Sequence, residues 1–299
     1  MVVFIKPVLR TDVPLRIGAL GGLPPSDPSF FSPNPVDLAA LGVALEIATL
    51  SEQTAGNATR VIAVTIGPKS WEFVLRRALA MGATEVMRVW EDSWSEEMFE
   101  PREGSGDIPA FLAHVTAPIV KKLNPQVVLT GDRSTDTGRE CFAGFLAASL
   151  GWPFAHRAAA LVAQGESWNA RVRLERGYLR EVILPAPAVV SWSSTAVNVP
   201  EPSWPVWFAS QTAPLPSISP TGSTPPTLHP AQLRPPIPRV KHFTAPDKAL
   251  DAEGRIAAMV ALPPTQEGEV LPATMGVEAQ VNRMIEVLKD KGFLNAVPK

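Results

Sequence analysis

The stretch PQVVLTGDRSTDTGRECFAGFLAASLGWP, residues 125–153, decides the fold class of this chain. It opens with an apolar run that is typical of a buried strand, continues through a polar turn, and enters a helical pattern that begins near Thr137 and stops at Gly151. Such a turn presents backbone N–H groups at a helix N-terminus, where anions bind favourably. Glu140 is unusual in this turn, because its carboxylate competes with a phosphate for the same N–H groups.

The first 195 residues repeat this alternation of short Val/Ile-rich runs and longer helical patterns. The alternation predicts βαβ units and therefore a parallel sheet flanked by helices, which is an α/β fold. The predicted strands cover residues 2–8, 60–67, 85–90 and 126–131, and the predicted helices cover 34–50, 70–83, about 108–122 and 137–151. The first helix has the clearest start signal, since Asn34 precedes Pro35 at the first helical position and Asp37 lies in the first turn.

The pattern changes in the second half of the chain. The alternating stretch ARVRLERGYLREVIL, residues 170–184, predicts a small antiparallel hairpin around Arg176 and Gly177. Residues 200–238 contain 12 of the 32 prolines, too many for regular structure, so we predict an extended arm there. A last helix over 276–292 carries an apolar stripe that it cannot bury alone, and it needs a docking surface on this chain or on a partner.

These patterns divide the chain into three predicted parts. An α/β domain covers residues 1–199, a Pro-rich linker and recognition loop covers 200–245, and a C-terminal arm that ends in a helix covers 246–299.

The composition excludes several classes of function. The 27 basic and 29 acidic residues give a net charge of -2, and no basic run is present, so we do not expect a nucleic-acid partner. The single cysteine, Cys141, cannot form an internal disulfide, and it fits a reducing compartment such as the cytoplasm. No stretch reaches the roughly 18 uncharged apolar residues of a membrane span, so we do not expect the chain itself to cross a membrane.

Catalytic motifs are missing from the sequence. It has no GxSxG, no Walker lysine motif and no GxGxxG after the first strand. The four histidines, His114, His156, His229 and His242, are not at metal-ligand spacing with one another, with the cysteine or with a carboxylate. A thiol nucleophile formed by Cys141 with His156 is one alternative, but a whole helix separates the two residues in sequence. We therefore expect a carrier or binding subunit rather than an enzyme that acts alone.

The loops that follow the predicted strands are the candidate ligand site. Open α/β sheets bind ligands at the carboxyl ends of their parallel strands, where these loops should converge. In chain order they are Lys6-Pro7, the helix start at Asn34, Ile66-Gly67-Pro68, and the turn from Gly131 to Phe142. Each loop alone is typical of an ordinary turn or cap, and only their joint occurrence predicts a site.

Seven stretches of this chain resemble, in order and spacing, the β subunit of electron transfer flavoprotein. They are NPVDLAALGVAL, VIAVTIGP, LRRALAMGATEVMRVWED, VVLTGDRSTDTGRE, SLGWP, LPAPAVVSW and the terminal GVEAQVNRMIEVLKDKGFL. The resemblance covers nearly the whole chain and implies a fold like that of the adenine nucleotide α-hydrolases. It also implies a heterodimer with an α subunit that holds most of the redox FAD. This subunit would then carry AMP, or a second FAD as in electron-bifurcating members. The pair would take electrons from a flavoprotein dehydrogenase and pass them to a quinone oxidoreductase.

The resemblance assigns nucleotide contacts to four places in this sequence. The residues are Lys6, Asn34, Pro35, Asp37, Ile66, Gly131, Arg133, Ser134, Thr135, Asp136, Gly138, Arg139 and Phe142. Asp136 matches the acidic position of the family, but Glu140 and Phe142 replace part of its polar turn. Arg133 and Arg139 could offset this change by pairing with phosphate or with Glu140. AMP, another ligand in the adenine pocket and a collapsed pocket all stay open at this point.

The segment NVPEPSWPVWFASQTAPL, residues 198–215, also departs from the family pattern. It lacks the lysines of the family's recognition loop, and Glu201 stands near the expected arginine. Trp204 lies about where the family has its apolar anchor, so Trp204 and Trp207 predict either a docking hot spot or packing onto the domain. Two other functions stay open, namely a domain that binds or hydrolyses adenine nucleotides and a structural subunit of a redox complex without a nucleotide.

Overall fold

Two structural units make up the chain, Met1–Pro236 and Ile237–Lys299. The computed structural model describes residues 1–10, 12–13, 28–56, 58–94, 107–193, 199–220, 250–255, 272 and 275–290. The statements below concern these residues. The predictions for the remainder of 200–245 and of the C-terminal arm lie outside them.

The first unit is built around a sheet that has nine strands in the described residues. They are β1 (Val2–Phe4), β4 (Ile62–Ile66), β5 (Glu85–Val89), β6 (Val127–Gly131), β7 (Phe154–Gln164), β8 (Ser167–Arg173), β9 (Leu179–Pro185), β10 (Ala188–Trp192) and β11 (Ser217–Ile218). Their spatial order is β11-β5-β4-β1-β6-β10-β7-β8-β9. Strands β11 to β7 pair in parallel, whereas β8 and β9 are antiparallel additions. The predicted α/β class and the hairpin around Arg176 and Gly177 are confirmed.

Helices cover both faces of this sheet. They are α1 (Pro35–Ala55), α2 (Glu72–Met81), α3 (Asp107–Leu123), α4 (Phe142–Leu150) and α5 (Trp204–Thr212). Buried residues of α1 and α2 form one core with Val3 and Leu129 of the sheet, and those of α3 and α4 form a second core with Val2 and Val128. Successive strand residues therefore enter opposite cores, as the two-residue period of a strand requires.

The direction in which the sheet grows reverses between β1 and β6. The chain passes from β1 through α1 to β4 and then to β5, and it returns through α3 to β6 on the other side of β1. The helices α1 and α3 pack on opposite faces, so a crevice opens at the carboxyl ends of β1 and β6. This crevice is the place where a ligand of such a sheet is expected.

The first predicted strand, residues 2–8, is wrong in its extent. The strand β1 ends at Phe4, and the chain then turns into β2 (Pro7–Leu9), which pairs with β3 (Phe31–Pro33) in a separate antiparallel sheet. Proline has no N–H group to donate to a ladder, which favours this break. The corner places Lys6 at the crevice, where its carbonyl oxygen accepts the N–H of Asn34 at 2.9 Å.

The predicted start of α4 near Thr137 is also wrong, because this helix begins at Phe142. Gly138 and Glu140 have φ angles of 60° and 56°, in the left-handed region that cannot continue a right-handed helix. The residues between Gly131 and Phe142 therefore form a non-helical loop, with a turn over residues 135–137. The predicted end is correct, since Gly151 is the left-handed C-cap.

The prediction of no regular structure from residue 200 to 238 is wrong for α5 and β11. Ser203 is the N-cap of α5 and a proline lies in its first turn, where proline fits a helix. Strand β11 has only two residues and pairs with β5 at the edge of the sheet, a position that tolerates flanking prolines. High proline content was therefore compatible with both elements.

The second unit contains helix α6 (Val277–Asp290). Its apolar stripe consists of Val277, Val281, Met284, Ile285 and Leu288, and all five side chains are exposed. The predicted helix is thus present, with an apolar stripe that remains accessible.

Candidate functional site

A cavity of about 190 Å³ lies at the carboxyl ends of β1 and β6. Its lining residues are Phe4, Ile5, Lys6, Asn34, Asp37, Ile66, Trp71, Ile108, Pro109, Leu112, Thr130, Gly131, Asp132, Arg133, Ser134, Thr137, Arg139, Glu140, Cys141, Phe142 and Ala143. A water molecule needs roughly 10–15 Å³ on this measure. The cavity is therefore large enough for a small organic ligand.

Most of the predicted site residues meet in this cavity. Those that line it are Lys6, Asn34, Asp37, Ile66, Gly131, Arg133, Ser134, Arg139 and Phe142. Pro35, Thr135, Asp136 and Gly138 were also predicted and do not line it. The loops after the strands thus converge as the parallel sheet requires.

The carboxylate of Asp37 ties the two central strands to the start of α1. One oxygen accepts the backbone N–H of Lys6 at 3.0 Å, and the other accepts the backbone N–H of Gly131 at 2.9 Å. These donors follow β1 and end β6, so a single buried side chain fixes the floor of the cavity. Burial raises the pKa of Asp37 to about 6, although the hydrogen bonds and the charge of Lys6 oppose this rise.

Asn34 is the N-cap of α1, yet its side chain does not cap that helix. The residue is only 1% exposed. Its side-chain N–H group donates to the carbonyl oxygen of Arg133 at 3.0 Å, while the buried Oδ1 atom has no hydrogen-bond partner among the described residues. A buried acceptor without a partner is costly, so a donor on a ligand would satisfy an atom that the fold leaves open.

An ion pair connects the two loops of the crevice beside the cavity. The Nζ atom of Lys6 lies 2.9 Å from both carboxylate oxygens of Asp136. Burial alone would raise the pKa of Asp136, but the charge of Lys6 and hydrogen bonds from Ser134, Lys6 and Thr137 outweigh it and hold this pKa below its usual range. Asp136 thus stays ionised and contributes to the loop rather than to the cavity lining.

The turn before α4 gives Glu140 a different environment from the one predicted. Glu140 lies two residues before the first helical residue, and its Oε2 atom is 3.6 Å from Nε2 of His156. The other ring nitrogen of His156 lies 3.0 Å from the buried Oγ atom of Ser191. The imidazole therefore stands between the acidic residue and the sheet, a contact that the sequence did not predict.

The alternative of a thiol nucleophile receives no support from this geometry. Burial raises the pKa of the Cys141 thiol despite the nearby charge of Arg139, whereas a reactive cysteine needs a lowered pKa. The ring nitrogens of His156 face Glu140 and Ser191. The described residues also contain no group of three or more His, Cys, Asp or Glu side chains that could hold a metal ion.

The sequence predictions found only part of the apolar wall of the cavity, because they included Ile66 and Phe142 but missed Phe4, Trp71, Ile108 and Leu112. Phe4 and Phe142 pack edge to face, with ring centroids 5.2 Å apart, and Ile108 and Leu112 of α3 join them in the lining. Trp71 follows the loop after β4, and its ring lies so close to Gly67 that an added Cβ atom would overlap it. Gly67 could therefore have indicated from the sequence that a large side chain packs against this loop. No local sequence pattern, however, indicated that the start of α3 lies against the crevice.

The predicted docking residues lie on α5, at the edge of the sheet formed by β11. Trp204 is 74% exposed and Phe208 is 65% exposed, and their ring centroids are 6.0 Å apart. Trp207 is partly buried, with the guanidinium of Arg77 lying 5.9 Å from its ring centroid. Trp207 thus packs onto the domain, while Trp204 forms an exposed aromatic pair.

Two arginines of α2 fix α5 in place. Arg76 donates to the carbonyl oxygen of Ser210 at 2.8 Å, and Arg77 pairs with Glu201 at 2.8 Å. The exposed aromatic pair therefore stands on a helix that is tied to the domain at both ends.

The family model described as the electron transfer flavoprotein domain matches residues 31–218. The chain is 31% identical over 149 residues to the electron transfer flavoprotein subunit beta of Methylophilus methylotrophus, which covers 49% of this chain and 53% of that relative. It is 26% identical over 200 residues to the subunit beta of Bradyrhizobium diazoefficiens, covering 67% of this chain and 72% of that relative.

The longest of these three similarities is to a plant protein. The mitochondrial electron transfer flavoprotein subunit beta of Arabidopsis thaliana is 28% identical over 265 residues, which covers 88% of this chain and 86% of that relative. The match to the Methylophilus protein, by contrast, spans only about half of that relative's length. Within the described residues, every helix is too short or too polar to cross a membrane.

Proposed function

We propose that this chain, which belongs to the electron transfer flavoprotein family and is related to its β subunits, pairs with an α subunit to form an electron carrier. The observation that carries the proposal is the family match over residues 31–218, which includes strand β6 and the starts of α1 and α4 at the crevice. The chain acts as a carrier subunit rather than as an enzyme by itself. In the pair, FAD lies mainly on the α subunit and supplies the redox chemistry.

The cavity is proposed to hold a nucleotide, and AMP is the first candidate. Its residues fit such a ligand, because the buried Oδ1 of Asn34 lacks a donor and the apolar wall suits an aromatic base. Arg133, Arg139 and the uncapped start of α4 would hold a phosphate. Glu140 opposes the phosphate, and its contact with His156 reduces that opposition whenever the imidazole is charged.

A nucleotide-free structural subunit is the second candidate. Glu140 and Phe142 favour it, because one adds negative charge at the mouth of the cavity and the other fills part of its apolar side. The rival proposals differ in whether a nucleotide leaves the protein when the protein unfolds.

One experiment tests both proposals. The chain is purified under native conditions together with its bound partner, the complex is denatured, and the released nucleotides are identified by mass. FAD together with AMP or a second nucleotide supports the carrier with an occupied cavity, whereas FAD alone supports the structural subunit. A colourless monomer without a partner would contradict the carrier proposal itself.

The exposed pair of Trp204 and Phe208 is proposed as the docking surface for a flavoprotein dehydrogenase, the electron donor. Large aromatic side chains on a fixed backbone bury much apolar area at little entropic cost, which suits a hot spot. A quinone oxidoreductase is the proposed acceptor. The apolar stripe of α6 is proposed to dock on the α subunit, since a lone amphipathic helix needs a partner for that stripe.

The docking proposal has a direct test. Trp204→Ala should slow electron transfer from the donor by about tenfold or more, the usual effect of losing a hot-spot residue, and should leave the flavin content unchanged. Tyr178→Ala removes an exposed aromatic ring from the β8–β9 turn and serves as the matched control. Loss of flavin in the Trp204 variant would instead assign this residue to the core or to the subunit interface.

A further inference from the structure

A β-bulge in β7 brings three polar side chains together beside the cavity. Strand β7 pairs with β10 in register at Ala155 and Val190, but the next paired residues are Ala158 and Trp192, so two residues of β7 stand opposite Ser191 alone. The second of them, Arg157, has a φ angle of 60°. Bulges of this kind commonly redirect a side chain next to a functional site.

Ser191 holds the bulge and selects the tautomer of His156. The Ser191 side chain is buried, and its Oγ atom accepts the backbone N–H of Arg157 at 3.0 Å. The hydroxyl proton is then free to be donated to Nδ1 of His156, also at 3.0 Å. In the neutral imidazole the remaining proton lies on Nε2, and this nitrogen faces Glu140 at 3.6 Å.

Glu140 has a left-handed backbone conformation at the cavity. Its φ angle of 56° is unfavourable for a residue with a side chain, and it lines the cavity just before α4 begins. The other ionisable groups on the elements that meet here are Arg139 and Cys141 of the same turn, Asp132 after β6, and Arg157, whose Nε lies 3.9 Å from the Asp132 carboxylate. His156 is thus the group placed to change the effective charge of Glu140.

We propose that His156, aimed by the bulge and held by Ser191, is a positioning residue that sets the charge at the mouth of the cavity through Glu140. This inference rests on the proposed nucleotide function. When the imidazole carries a proton, it neutralises Glu140, so the start of α4 no longer faces an uncompensated negative charge and can bind a phosphate. When it is neutral, Glu140 repels the phosphate. The site therefore binds a phosphate-bearing ligand more tightly when this imidazole is protonated than when it is neutral.

The test measures AMP affinity by calorimetry for the full chain with its bound partner, after removal of endogenous nucleotide, at pH 5.5 and pH 8. The phosphate of AMP also titrates in this range, so the informative quantity is the ratio of the dissociation constants of His156→Gln and wild type at each pH. We expect a ratio of about three to ten at pH 5.5 and near one at pH 8, from an ion pair at partial exposure. Adenosine, which lacks the phosphate, should give a ratio near one at both pH values.

A double-variant comparison shows whether His156 acts through Glu140. In the Glu140→Gln background, His156→Gln should change AMP affinity little at either pH, because the acid it neutralises is gone. His114→Gln, an exposed histidine of α3 outside the cavity lining, is the control and should behave as wild type. Ser191→Ala removes the hydrogen bond that orients the imidazole through Nδ1. When His156→Gln is compared with its parent in this background, the ratio of the dissociation constants at pH 5.5 should therefore fall towards one.

The outcomes separate this inference from the proposal on which it rests. If AMP binds and the ratio is the same at both pH values, or persists without Glu140, the role of His156 is overturned while the nucleotide site stands. If neither AMP nor adenosine binds to any variant, the nucleotide proposal is overturned and this inference falls with it.

Discussion

Two of the helices whose N-termini meet at the cavity, α1 and α4, differ in how their acidic residues are held. In α1, Asp37 is buried in the first turn, and its two oxygens are used by backbone N–H groups of both central strands. At α4, Glu140 stands before the helix, is partly exposed, and faces an imidazole. The first acid is satisfied by the fold itself, whereas the second has only a partly exposed imidazole beside it.

This difference suggests that the two acidic residues of the cavity have separate roles, Asp37 in the stability of the fold and Glu140 in ligand binding. A carboxylate that accepts backbone hydrogen bonds on both sides resists any substitution, because its removal leaves buried donors without an acceptor. A partly exposed carboxylate beside a histidine contributes little to stability but changes the local charge. We therefore expect substitutions around Asp37 to change the free energy of unfolding, and substitutions around Glu140 to change ligand affinity.

The largest expected effect is that of Gly131→Ala. An added Cβ atom would overlap Oδ1 of Asp37 and would lie 3.2 Å from both the backbone nitrogen of Asp37 and Cβ of Val36. The strand end would have to move away from α1, which costs both packing and the hydrogen bond from the Gly131 N–H group. We expect a loss of about 4 kcal/mol in the free energy of unfolding, measured by urea denaturation. A loss below about 1 kcal/mol would show that this contact is not tight.

Asp37→Asn is expected to have a slightly smaller effect that depends on pH. The pKa of Asp37 is about 6 in the folded protein against an ordinary value of 3.8, so the folded state binds the proton more tightly than the unfolded state. The wild-type free energy of unfolding should therefore fall as the pH rises from about 4 to above 6, by at most about 3 kcal/mol from this group.

The Asn variant cannot titrate at this position, so its comparison with wild type shows whether the titration of Asp37 raises or lowers the free energy of unfolding as the pH rises. The stability difference between wild type and variant should be largest near pH 4 and should shrink above pH 6, although the variant stays less stable because its amide N–H group would face a backbone donor. Denaturation curves at pH 4 and pH 7.5 measure the change. A difference that is equal at both pH values would mean that Asp37 does not titrate in this window.

The sequence predicted the first of these two regions better than the second. Asn34, Pro35 and Asp37 give a start signal that depends only on local helix chemistry, so α1 and its place at the crevice followed from the pattern. The fixing of two strands by Asp37 could not be read from sequence, because the donors lie 31 and 94 residues away. Only the sheet order brings them together.

The turn before α4 was harder to predict, because its backbone conformation differs from the helix that its residue pattern indicates. Residues 137–150 have a helical pattern, but left-handed angles at Gly138 and Glu140 delay the helix to Phe142. The partner of Glu140 arises from a bulge in β7, and a register shift between two strands leaves no trace in the spacing of residues. The prolines after residue 200 misled in the same way, since proline content does not reveal that Ser203 caps a helix.

Glu140→Gln tests the second acidic residue, and it should change ligand affinity with little change in stability. Removal of its negative charge near the start of α4 should raise AMP affinity at pH 7.5 by about three- to tenfold, with a change in stability below about 0.5 kcal/mol. The nucleotide content of the purified complex, quantified by mass after denaturation, provides the measurement. Glu166→Gln, in the β7–β8 turn away from the cavity, is the matched control and should leave that content unchanged. Unchanged AMP retention in the Glu140 variant would show that this turn does not contact the phosphate.

The smallest expected effect is that of Gly144→Ala, which makes the same glycine-to-alanine change on the α4 side of the cavity as Gly131→Ala makes on the α1 side. Gly144 lies inside α4, and an added Cβ atom there would meet only the ring of Phe154 at 3.6 Å, an ordinary van der Waals contact. Gly144→Ala should therefore stabilise the protein by about 0.5–1 kcal/mol, because alanine loses less backbone entropy in a helix than glycine. Urea denaturation of this variant beside Gly131→Ala should give changes of opposite sign. If both variants were destabilised by similar amounts, the two sides of the cavity would be equally tight, and the assignment of stability to α1 and of ligand binding to α4 would be wrong.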